Sequence, residues 1–354
     1  MESSPQFTLV LGGGGLKGLA HIGVLRALEE RGLVPAGVVG CSMGSLIAAA
    51  WACGLPLPDV EDRALALVRK DVFRIAHLDM AVKRMLAPAI YRGEPLYELI
   101  QGVVGDVVFS DLKRRLVVNT VDLNTGQQVL WGLPGLDHAP VADAVFASCA
   151  LPGILPPRVV AGRVCVDGAI VENLPVRAAL TLSRNPIVAI DIGGTRVERQ
   201  AVERKGFVTV YSRGLEIVMQ TLASAHLRDW TIPPVILVRP QVARVSMFAF
   251  HRTPFLLAEG YRALNETLDQ VPREFGKLAP GVHPQREVIV RVIRERCISC
   301  GACAARAPQI FTMGADGIAE VRSAREWWSP VGDTLLAVCP THAIVAETAV
   351  KREQ

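Results

Sequence analysis

Residues Gly40–Gly44 read G-C-S-M-G and so place a serine in the pattern G-x-S-x-G. The pentapeptide follows a short apolar run, Val34–Val39, and opens a stretch of small residues, Ser45–Trp51. This layout is typical of a nucleophile elbow, where a tight strand-to-helix turn presents the serine and glycines give the backbone room. A chance match is the alternative, because the pattern fixes only three positions. Ser42 is therefore a candidate nucleophile.

A glycine-rich turn lies upstream, between the strand-like Phe7–Leu11 and a helical pattern that begins at Leu16. Gly13, Gly15 and Gly18 fit G-x-G-x-x-G, the fingerprint of a dinucleotide site. Such a site also needs an acidic residue at the end of the second strand, where this chain has the G-C-S of the pentapeptide. Backbone N–H groups at a helix N-terminus can instead bind an oxyanion that develops during acyl transfer. We favour the oxyanion hole, because adjacent parallel strands would bring both loops to one sheet edge.

A serine hydroxyl becomes a good nucleophile only when a base takes its proton. His226 and His251 come late enough in the chain to follow the usual hydrolase order, but neither lies in a recognisable motif. Asp167 is the stronger candidate, because it ends the strand-like Arg163–Val166 and precedes a glycine. A carboxylate at a strand end can reach into a cleft, although Asp-Gly is also a common turn.

Four of the eight cysteines lie near the C-terminus as Cys297-x2-Cys300-x2-Cys303, followed by the distal Cys339 and a proline. A compact triple with a distant fourth thiolate is iron-sulfur spacing, whereas a structural zinc site more often has two separated pairs or histidines. The sequence has no second triple, so we predict that these cysteines bind one 4Fe-4S cluster. The remaining cysteines are interpreted as unreactive core thiols, namely Cys41, Cys53, Cys149 and Cys165.

Two consecutive units of strand, glycine turn and helix begin the chain, one from Phe7 and one from Val38 through Ser42. Such alternation predicts an α/β fold with a mainly parallel, doubly wound sheet and helices on both faces. The further predicted strands are Leu116–Val121, Gln128–Trp131, Val159–Val166, Ile187–Asp191 and Val235–Val238.

The stretch Pro280–Pro284 reads P-G-V-H-P and interrupts this pattern. A chain of 354 residues also exceeds the length over which one core keeps growing. We therefore predict a large domain over residues 5–279 and a small one over residues 286–350.

The formal net charge of +4 is spread along the chain, which gives no case for a nucleic-acid partner. Residues 1–10 lack the basic and apolar regions of a secretory signal, so we expect a cytoplasmic protein.

Gly32–Pro58 carries no charged residue over 27 positions, which is long enough to span a bilayer. Its glycines and prolines divide it into strand, turn and helix, so we interpret it as buried core.

Three motifs together resemble the patatin-like phospholipase family, closest to its bacterial branch: Gly13–Gly18, Gly40–Gly44 and Asp167–Ala169. The flanking Ala147–Gly153 and Asn173–Val176 are also similar to that family. The resemblance covers about residues 5–270. It implies the patatin-like form of the doubly wound fold and an enzyme that hydrolyses lipid acyl esters through an acyl-enzyme.

The same resemblance implies a Ser-Asp dyad without histidine, in which Ser42 is the nucleophile and Asp167 the base that acts on it directly. Burial that raises the pKa of Asp167 would help it act near neutral pH. Lys17 occupies the family's basic position. The implied donors of the oxyanion hole are the backbone N–H groups of Gly13, Gly14 and Gly15.

Residues 286–350 resemble single-cluster bacterial ferredoxins, which are small α+β domains. The similarity lies in Cys300–Cys303, Ala307–Phe311 and Cys339–Ile344. It implies electron transfer at low potential, with a redox partner protein. The cluster could donate electrons, sense oxygen or redox state, or stabilise the C-terminal fold.

Other functions remain open on the sequence. The chain could be an electron-transfer protein whose N-terminal domain only binds lipid or a partner, or an oxidoreductase that binds a nucleotide at the glycine loop. Apolar residues around His251, Met247–Phe250 and Phe255–Leu257, could contact a membrane peripherally at its inner face. The alternative for that segment is ordinary core with a polar interruption.

Overall fold

The computed structural model describes residues 6–74, 89–193, 202–246 and 249–349. The chain divides into two compact units. The first comprises residues 1–223 and 233–279, and the second comprises residues 224–232 and 280–354. The short segment 224–232 therefore groups with the C-terminal unit, which the sequence did not indicate.

Strands of the first unit alternate with helices along most of its length. The strands are β1 Thr8–Leu11, β2 Gly37–Cys41, β3 Leu116–Asp122, β4 Gln128–Trp131, β5 Arg158–Val160, β6 Arg163–Asp167, β7 Ile187–Ile190 and β8 Val235–Val238. Among the described residues, the α-helices that begin before residue 280 are α1 Ala20–Glu30, α2 Met43–Ala52, α3 Leu57–Ala66, α4 Arg69–Val72, α5 Glu94–Val104, α6 Val141–Cys149, α7 Ala169–Glu172, α8 Val176–Ala179, α9 Phe207–Arg228 and α10 Thr253–Leu268. A 3-10 turn, Gly15–Leu19, leads directly into α1.

The strands of the first unit form one sheet, in which β3, β2, β1, β7 and β8 lie side by side in that order, β4 and β6 also pair with β3, and β5 pairs with β6. The neighbouring strands β3, β2, β1, β7 and β8 run parallel to one another. The pairs β3-β4, β3-β6 and β5-β6 are antiparallel. Strands β1, β2, β7 and β8 are buried along their whole length. Burial of this kind needs helices on both faces, so the predicted mainly parallel α/β sheet is confirmed.

The register around β3 decides which residues meet. Strand β4 pairs with Val118–Val121 along one edge of β3. Strand β2 pairs with Leu116–Asn119 and β6 with Thr120–Asp122, so both must lie along the opposite edge. They approach each other from opposite directions, because β2 is parallel and β6 antiparallel to β3. The last residue of β2, Cys41, faces Asn119, and the last residue of β6, Asp167, faces the adjacent Thr120.

The predicted strand Val159–Val166 is wrong in one respect, because it is two strands joined by a tight turn. Ala161 and Gly162 both have positive φ, at 44° and 79°. Two such residues form the kind of two-residue connection that fits a twisted hairpin. The hairpin reverses the chain, and this reversal makes β6 antiparallel to β3.

The uncharged stretch Gly32–Pro58 contains β2 and α2, and every residue of β2 is buried. The interpretation as buried core is therefore confirmed by its secondary structure. Among the helices that the structure describes, none combines the length and the apolar character that a membrane crossing requires.

Helices α1 and α10 cross at two glycines. A Cβ atom added at Gly23 would lie 1.9 Å from the carbonyl oxygen of Leu257, and one added at Gly260 would lie 1.8 Å from that of Ala20. Both neighbours are backbone atoms, so neither can move aside without a large cost in free energy. Glycine therefore permits this close approach of the two helices.

Gly260→Ala should lower the free energy of unfolding by about 1–3 kcal/mol, because the added methyl group forces the helices apart. Urea unfolding followed by far-UV circular dichroism would measure the change. Gly102→Ala is the matched control, since Gly102 lies in α5 with open space around its Cα. Alanine should be neutral or slightly stabilising there. Equal unfolding midpoints for the two variants would contradict the proposed close contact.

The second unit is a small domain built mainly from short antiparallel strands. Its strands are β9 Val282–His283, β10 Arg286–Val292, β11 Phe311–Met313, β12 Ala319–Val321, β13 Arg325–Trp328 and β14 Ile344–Thr348, and its helix is α11 Ala302–Arg306. Strand β10 lies between β13 and β14, and β11 pairs with β12. Val288, Phe311 and Trp328 contribute to its apolar core, together with the thiol of Cys303.

Candidate functional site

Ser42 lies on the sharp turn between β2 and α2 that the elbow motif predicts. Its backbone has φ 54° and ψ −131°, a conformation that non-glycine residues rarely adopt. The flanking glycines allow the turn. A Cβ atom at Gly40 would lie 2.4 Å from the Cα of Ser45, and one at Gly44 would lie 2.2 Å from the carbonyl oxygen of Leu11.

Hydrogen bonds hold this strained residue in place. The Ser42 N–H donates to the hydroxyl of Ser148 at 2.8 Å, and that hydroxyl donates to the carbonyl oxygen of Asn119 at 2.7 Å. The Ser45 hydroxyl donates to the Ser42 carbonyl oxygen at 2.6 Å. Ser42 is thus fixed to β3 on one side and to its own helix on the other.

Asp167 lies at the end of β6 and is 2% exposed. Its Oδ1 accepts the Ala169 N–H at 2.9 Å, and the Ser42 hydroxyl is within hydrogen-bonding reach of its carboxyl group. Burial raises the pKa of Asp167 to about 7, and hydrogen bonds from Ala169, Ser42 and Cys41 limit the rise. Ser42 and Asp167 are far apart in the sequence. They come together because β2 and β6 end next to each other along one edge of β3.

The glycine loop packs directly against the serine, since a Cβ atom at Gly13 would lie 3.0 Å from the Cβ of Ser42. The N–H of Gly13 donates to the carbonyl oxygen of Asn173 at 3.0 Å, and the Asn173 amide donates back to the Gly13 carbonyl at 3.2 Å. Of the three predicted donors, Gly13 is therefore engaged, and the N–H groups of Gly14 and Gly15 have no bonded acceptor among the described residues.

His21 hydrogen-bonds to the backbone next to the glycine loop. No sequence motif marks it as a residue of the site. It is fully buried, and its Nε2 lies 2.8 Å from the carbonyl oxygen of Gly12. Burial lowers the pKa of His21 to about 4, so the ring is neutral near pH 7 and donates this hydrogen bond. No local motif marks it, because its partner is a backbone atom.

Neither Lys17 nor His251 hydrogen-bonds to Ser42 or Asp167 among the described interactions, and His226 is half-buried near the end of α9. The Lys17 ammonium forms an ion pair with Glu216 of α9 at 3.5 Å. His251 is exposed. The groups that hydrogen-bond to Ser42 and Asp167 in the described residues include no histidine.

Most described residues of the suggested membrane-contacting segment pack inward, although Phe255 is 38% exposed. Met247 and Phe248 lie outside the described residues. Leu256 is fully buried and Leu257 is 5% exposed, and both belong to the main hydrophobic core. Phe250 packs against the same core. These residues support the core interpretation of the segment.

The four C-terminal cysteines line one cavity of the second unit. Its remaining lining is mostly apolar and includes Val292, Ile298, Met313 and Ile344, with Thr341 as the one hydroxyl. Neither histidine nor carboxylate appears in that lining. An all-thiol donor set in an apolar cavity fits an iron-sulfur cluster.

Local backbone geometry wraps the chain around this cavity. Ser299 and Gly301 both have positive φ, at 57° and 71°, between the cysteines of the triple. The Ala343 N–H donates to the Sγ of Cys339 at 3.2 Å. Burial opposes ionisation of Cys339, but hydrogen bonds from Thr341 and from backbone N–H groups outweigh it and lower the pKa of the thiol. A thiolate is the form that binds iron.

No three histidine, cysteine or acidic side chains converge on one point in the described residues, as a single bound metal ion would require. The cysteines around a cubane cluster each bind a different iron, so they surround a volume and need not converge.

Comparison with known proteins agrees with both parts of the chain. Residues 9–180 match the family model of the patatin-like phospholipases. Residues 290–346 match the model of the 4Fe-4S single cluster domain. The first match contains Ser42 and Asp167, and the second contains all four cavity cysteines.

Curated relatives match the N-terminal part. An uncharacterized NTE family protein of Mycobacterium tuberculosis is 33% identical over 55% of this chain and 51% of its own length. A second one from the same species is 27% identical over 75% of this chain and 46% of its own length. The lysophospholipase NTE1 of Mycosarcoma maydis is 30% identical over 52% of this chain and 10% of its own length. The chain thus spans about half the length of the first two relatives.

Two solved structures also align with the chain. VipD from Legionella pneumophila has a TM-score of 0.43 and 14% identity, over 75% of this chain and 67% of its own. The type III effector protein ExoU has a TM-score of 0.40 and 16% identity, over 77% of this chain and 54% of its own. On the two family matches, the chain carries a patatin-like phospholipase domain followed by a C-terminal 4Fe-4S single-cluster domain.

Proposed function

We propose that this protein is a serine hydrolase that cleaves acyl esters of lipids through a Ser42-Asp167 dyad. The observation that carries the proposal is the strained Ser42 within hydrogen-bonding reach of a buried carboxyl group whose pKa lies at about 7. A base with this pKa is well matched to work near neutral pH. The N–H groups of Gly14 and Gly15 lie on the adjacent loop.

In the proposed mechanism, ionised Asp167 takes the hydroxyl proton of Ser42 while Oγ attacks the ester carbonyl carbon. The carbonyl electrons move to the oxygen, and the N–H groups of Gly14 and Gly15 stabilise the resulting oxyanion. Collapse expels the alcohol, which takes the proton from Asp167, and leaves an acyl-enzyme. Water then attacks the acyl group by the same route and regenerates Ser42.

The substrate class rests on the family match to patatin-like phospholipases and on a relative named as a lysophospholipase. Both support a lipid ester, and a lipid substrate implies transient contact with a membrane surface or micelle. This contact would be peripheral.

We further propose that Cys297, Cys300, Cys303 and Cys339 hold one 4Fe-4S cluster in the second unit. When bound, such a cluster supplies one-electron redox chemistry. Cys300 is exposed, whereas Cys303 is buried, so the cavity edge at Cys300 is where a redox partner would approach. Electron transfer to that partner or redox sensing are the roles that this exposure supports.

A fluorophosphonate probe tests the hydrolase proposal, because it labels only an activated serine. The rate of labelling should rise with pH through about 7 and level off above, since Asp167 is protonated and unable to act as a base below its pKa. The measurement is the labelling rate between pH 5 and pH 9, and Ser42→Ala is the unlabelled control. Failure to label the wild-type protein would favour an electron-transfer protein whose N-terminal domain only binds lipid. Labelling that does not change with pH would argue against Asp167 as the base.

A further inference from the structure

Cys41 lies between Gly40 and Ser42 at the end of β2 and is fully buried. The sequence suggested an unreactive core thiol, but the structure places it in a polar environment. Its Sγ donates to Oδ1 of Asp167 across 3.7 Å, and the side-chain amide of Asn119 donates to Sγ across the same distance. These separations suit hydrogen bonds to sulfur, which is a large atom.

The direction of the thiol proton follows from its neighbours. Burial raises the pKa of Cys41 well above its ordinary value, so the group keeps its proton and has one hydrogen to donate. The Asn119 amide approaches the sulfur as a donor, and this leaves Asp167 as the acceptor for the thiol proton.

Asn119 is itself firmly held. Its Oδ1 accepts the side-chain amide of Gln128 at 2.9 Å, and its Nδ2 also donates to the carbonyl oxygen of Glu172 at 2.9 Å. A continuous chain of hydrogen bonds thus runs from Gln128 through Asn119 and Cys41 to Asp167. Gln128 also donates to the Glu172 carboxylate at 3.0 Å, which closes the far end of the chain.

Among the described residues, few groups face Asp167. Its Oδ1 accepts both the Ala169 N–H and the Cys41 thiol, and the Ser42 hydroxyl approaches the same carboxyl group. The thiol of Cys149 lies near enough to interact electrostatically with it. These neighbours are all neutral, so hydrogen bonds rather than ion pairs orient this carboxyl group.

We propose that Cys41 is a positioning residue, whose thiol acts with the Ala169 N–H to fix Oδ1 of Asp167 and leave the other carboxylate oxygen to receive the Ser42 proton. The inference rests on the proposed dyad and adds a role for the residue that precedes the nucleophile. Cys41 acts through Asp167 and need not touch the substrate.

Removal of this donor should destabilise the ionised form of Asp167. In Cys41→Ala, the acidic limb of the pH profile of kcat/KM for a soluble ester should therefore move upward by about 0.5 pH unit, as expected for a weak hydrogen bond to the charged form. Cys41→Ser keeps a donor and should lie nearer the wild-type midpoint. Cys165→Ala is the matched control, because Cys165 is an equally buried thiol on β6 that is not bonded to Asp167.

The experiment measures the profile of each variant from pH 5 to pH 9, with thermal unfolding as the check on folding. A purely structural role would lower the melting temperature of Cys41→Ala and leave its midpoint at the wild-type value, and that result would overturn the proposal. If the alanine variant does not fold, Cys41→Val, which also lacks a donor but fills a volume close to that of cysteine, is compared with Cys165→Val. A midpoint shift confined to position 41 supports the proposal, and no shift overturns it. If the wild-type protein itself neither labels at Ser42 nor hydrolyses esters, the proposed function fails first, and this outcome is distinct.

Discussion

Asp167→Asn should lower kcat/KM for a chromogenic medium-chain ester by roughly 10²–10⁴-fold, because a neutral amide cannot take the Ser42 proton. Ser42→Ala should abolish turnover altogether. Both substitutions nearly preserve side-chain volume, so the fold should survive. Initial rates on purified protein, with circular dichroism spectra of each variant, would measure both effects.

Asp122→Asn provides the matched control for this experiment. Asp122 is a buried aspartate on β3, 4% exposed, and its carboxylate pairs with Arg163 at 3.4 Å. The substitution should change kcat/KM by only a few fold, because Asp122 makes no contact with Ser42 among the described interactions. Full activity in Asp167→Asn would rule out the dyad, and equal losses at positions 122 and 167 would indicate a general effect of losing a buried carboxylate.

We expect the substitution Cys303→Ser to remove the cluster from the protein. Cys303 is 9% exposed and belongs to the core of the second unit, so a serine there can neither replace the thiolate nor pack as well. We expect wild-type protein purified without oxygen to carry about four iron and four sulfide per chain, and the variant to lose nearly all of both. Iron and sulfide assays with the visible absorption spectrum are the measurements.

Cys53→Ser is the control for cluster loss. Cys53 is a half-buried cysteine of the first unit, and its thiol lies 3.9 Å from the carbonyl oxygen of Val104. That variant should keep its full iron content. An unchanged iron content in Cys303→Ser would exclude Cys303 as a ligand. Labelling of Ser42 in the cluster-free variant would show in addition whether hydrolysis depends on the cluster.

Local motifs explain why much of the candidate site could be recognised from the sequence. Ser42 lies in a pentapeptide whose glycines are required by close backbone contacts, and the cysteine triple follows the spacing of its cluster. The glycine turn was also visible, because it lies between a strand and a helix. In each case the chemistry and the geometry are encoded within about twenty residues of chain.

The remaining features depend on contacts between distant residues. Asn173 engages Gly13 from 160 positions away, so its effect on the oxyanion donors has no local signal. His21 and Cys41 look like ordinary core residues until their partners are known. The β5-β6 turn was missed because Ala161 adopts a positive φ that alanine rarely takes.

Because β2 and β6 meet on one edge of β3, the backbone of β3 fixes the distance between the ends of these two strands. Cys41, the residue before the proposed nucleophile, pairs with Asn119, and Asp167, the proposed base, pairs with the next residue of β3, Thr120. A slip of β6 by one residue would move Asp167 by about 3.3 Å and turn its side chain to the opposite face of the sheet. The proposed dyad should therefore tolerate changes of length in the loops beyond these strands far better than a single inserted residue between the β5-β6 turn and Asp167.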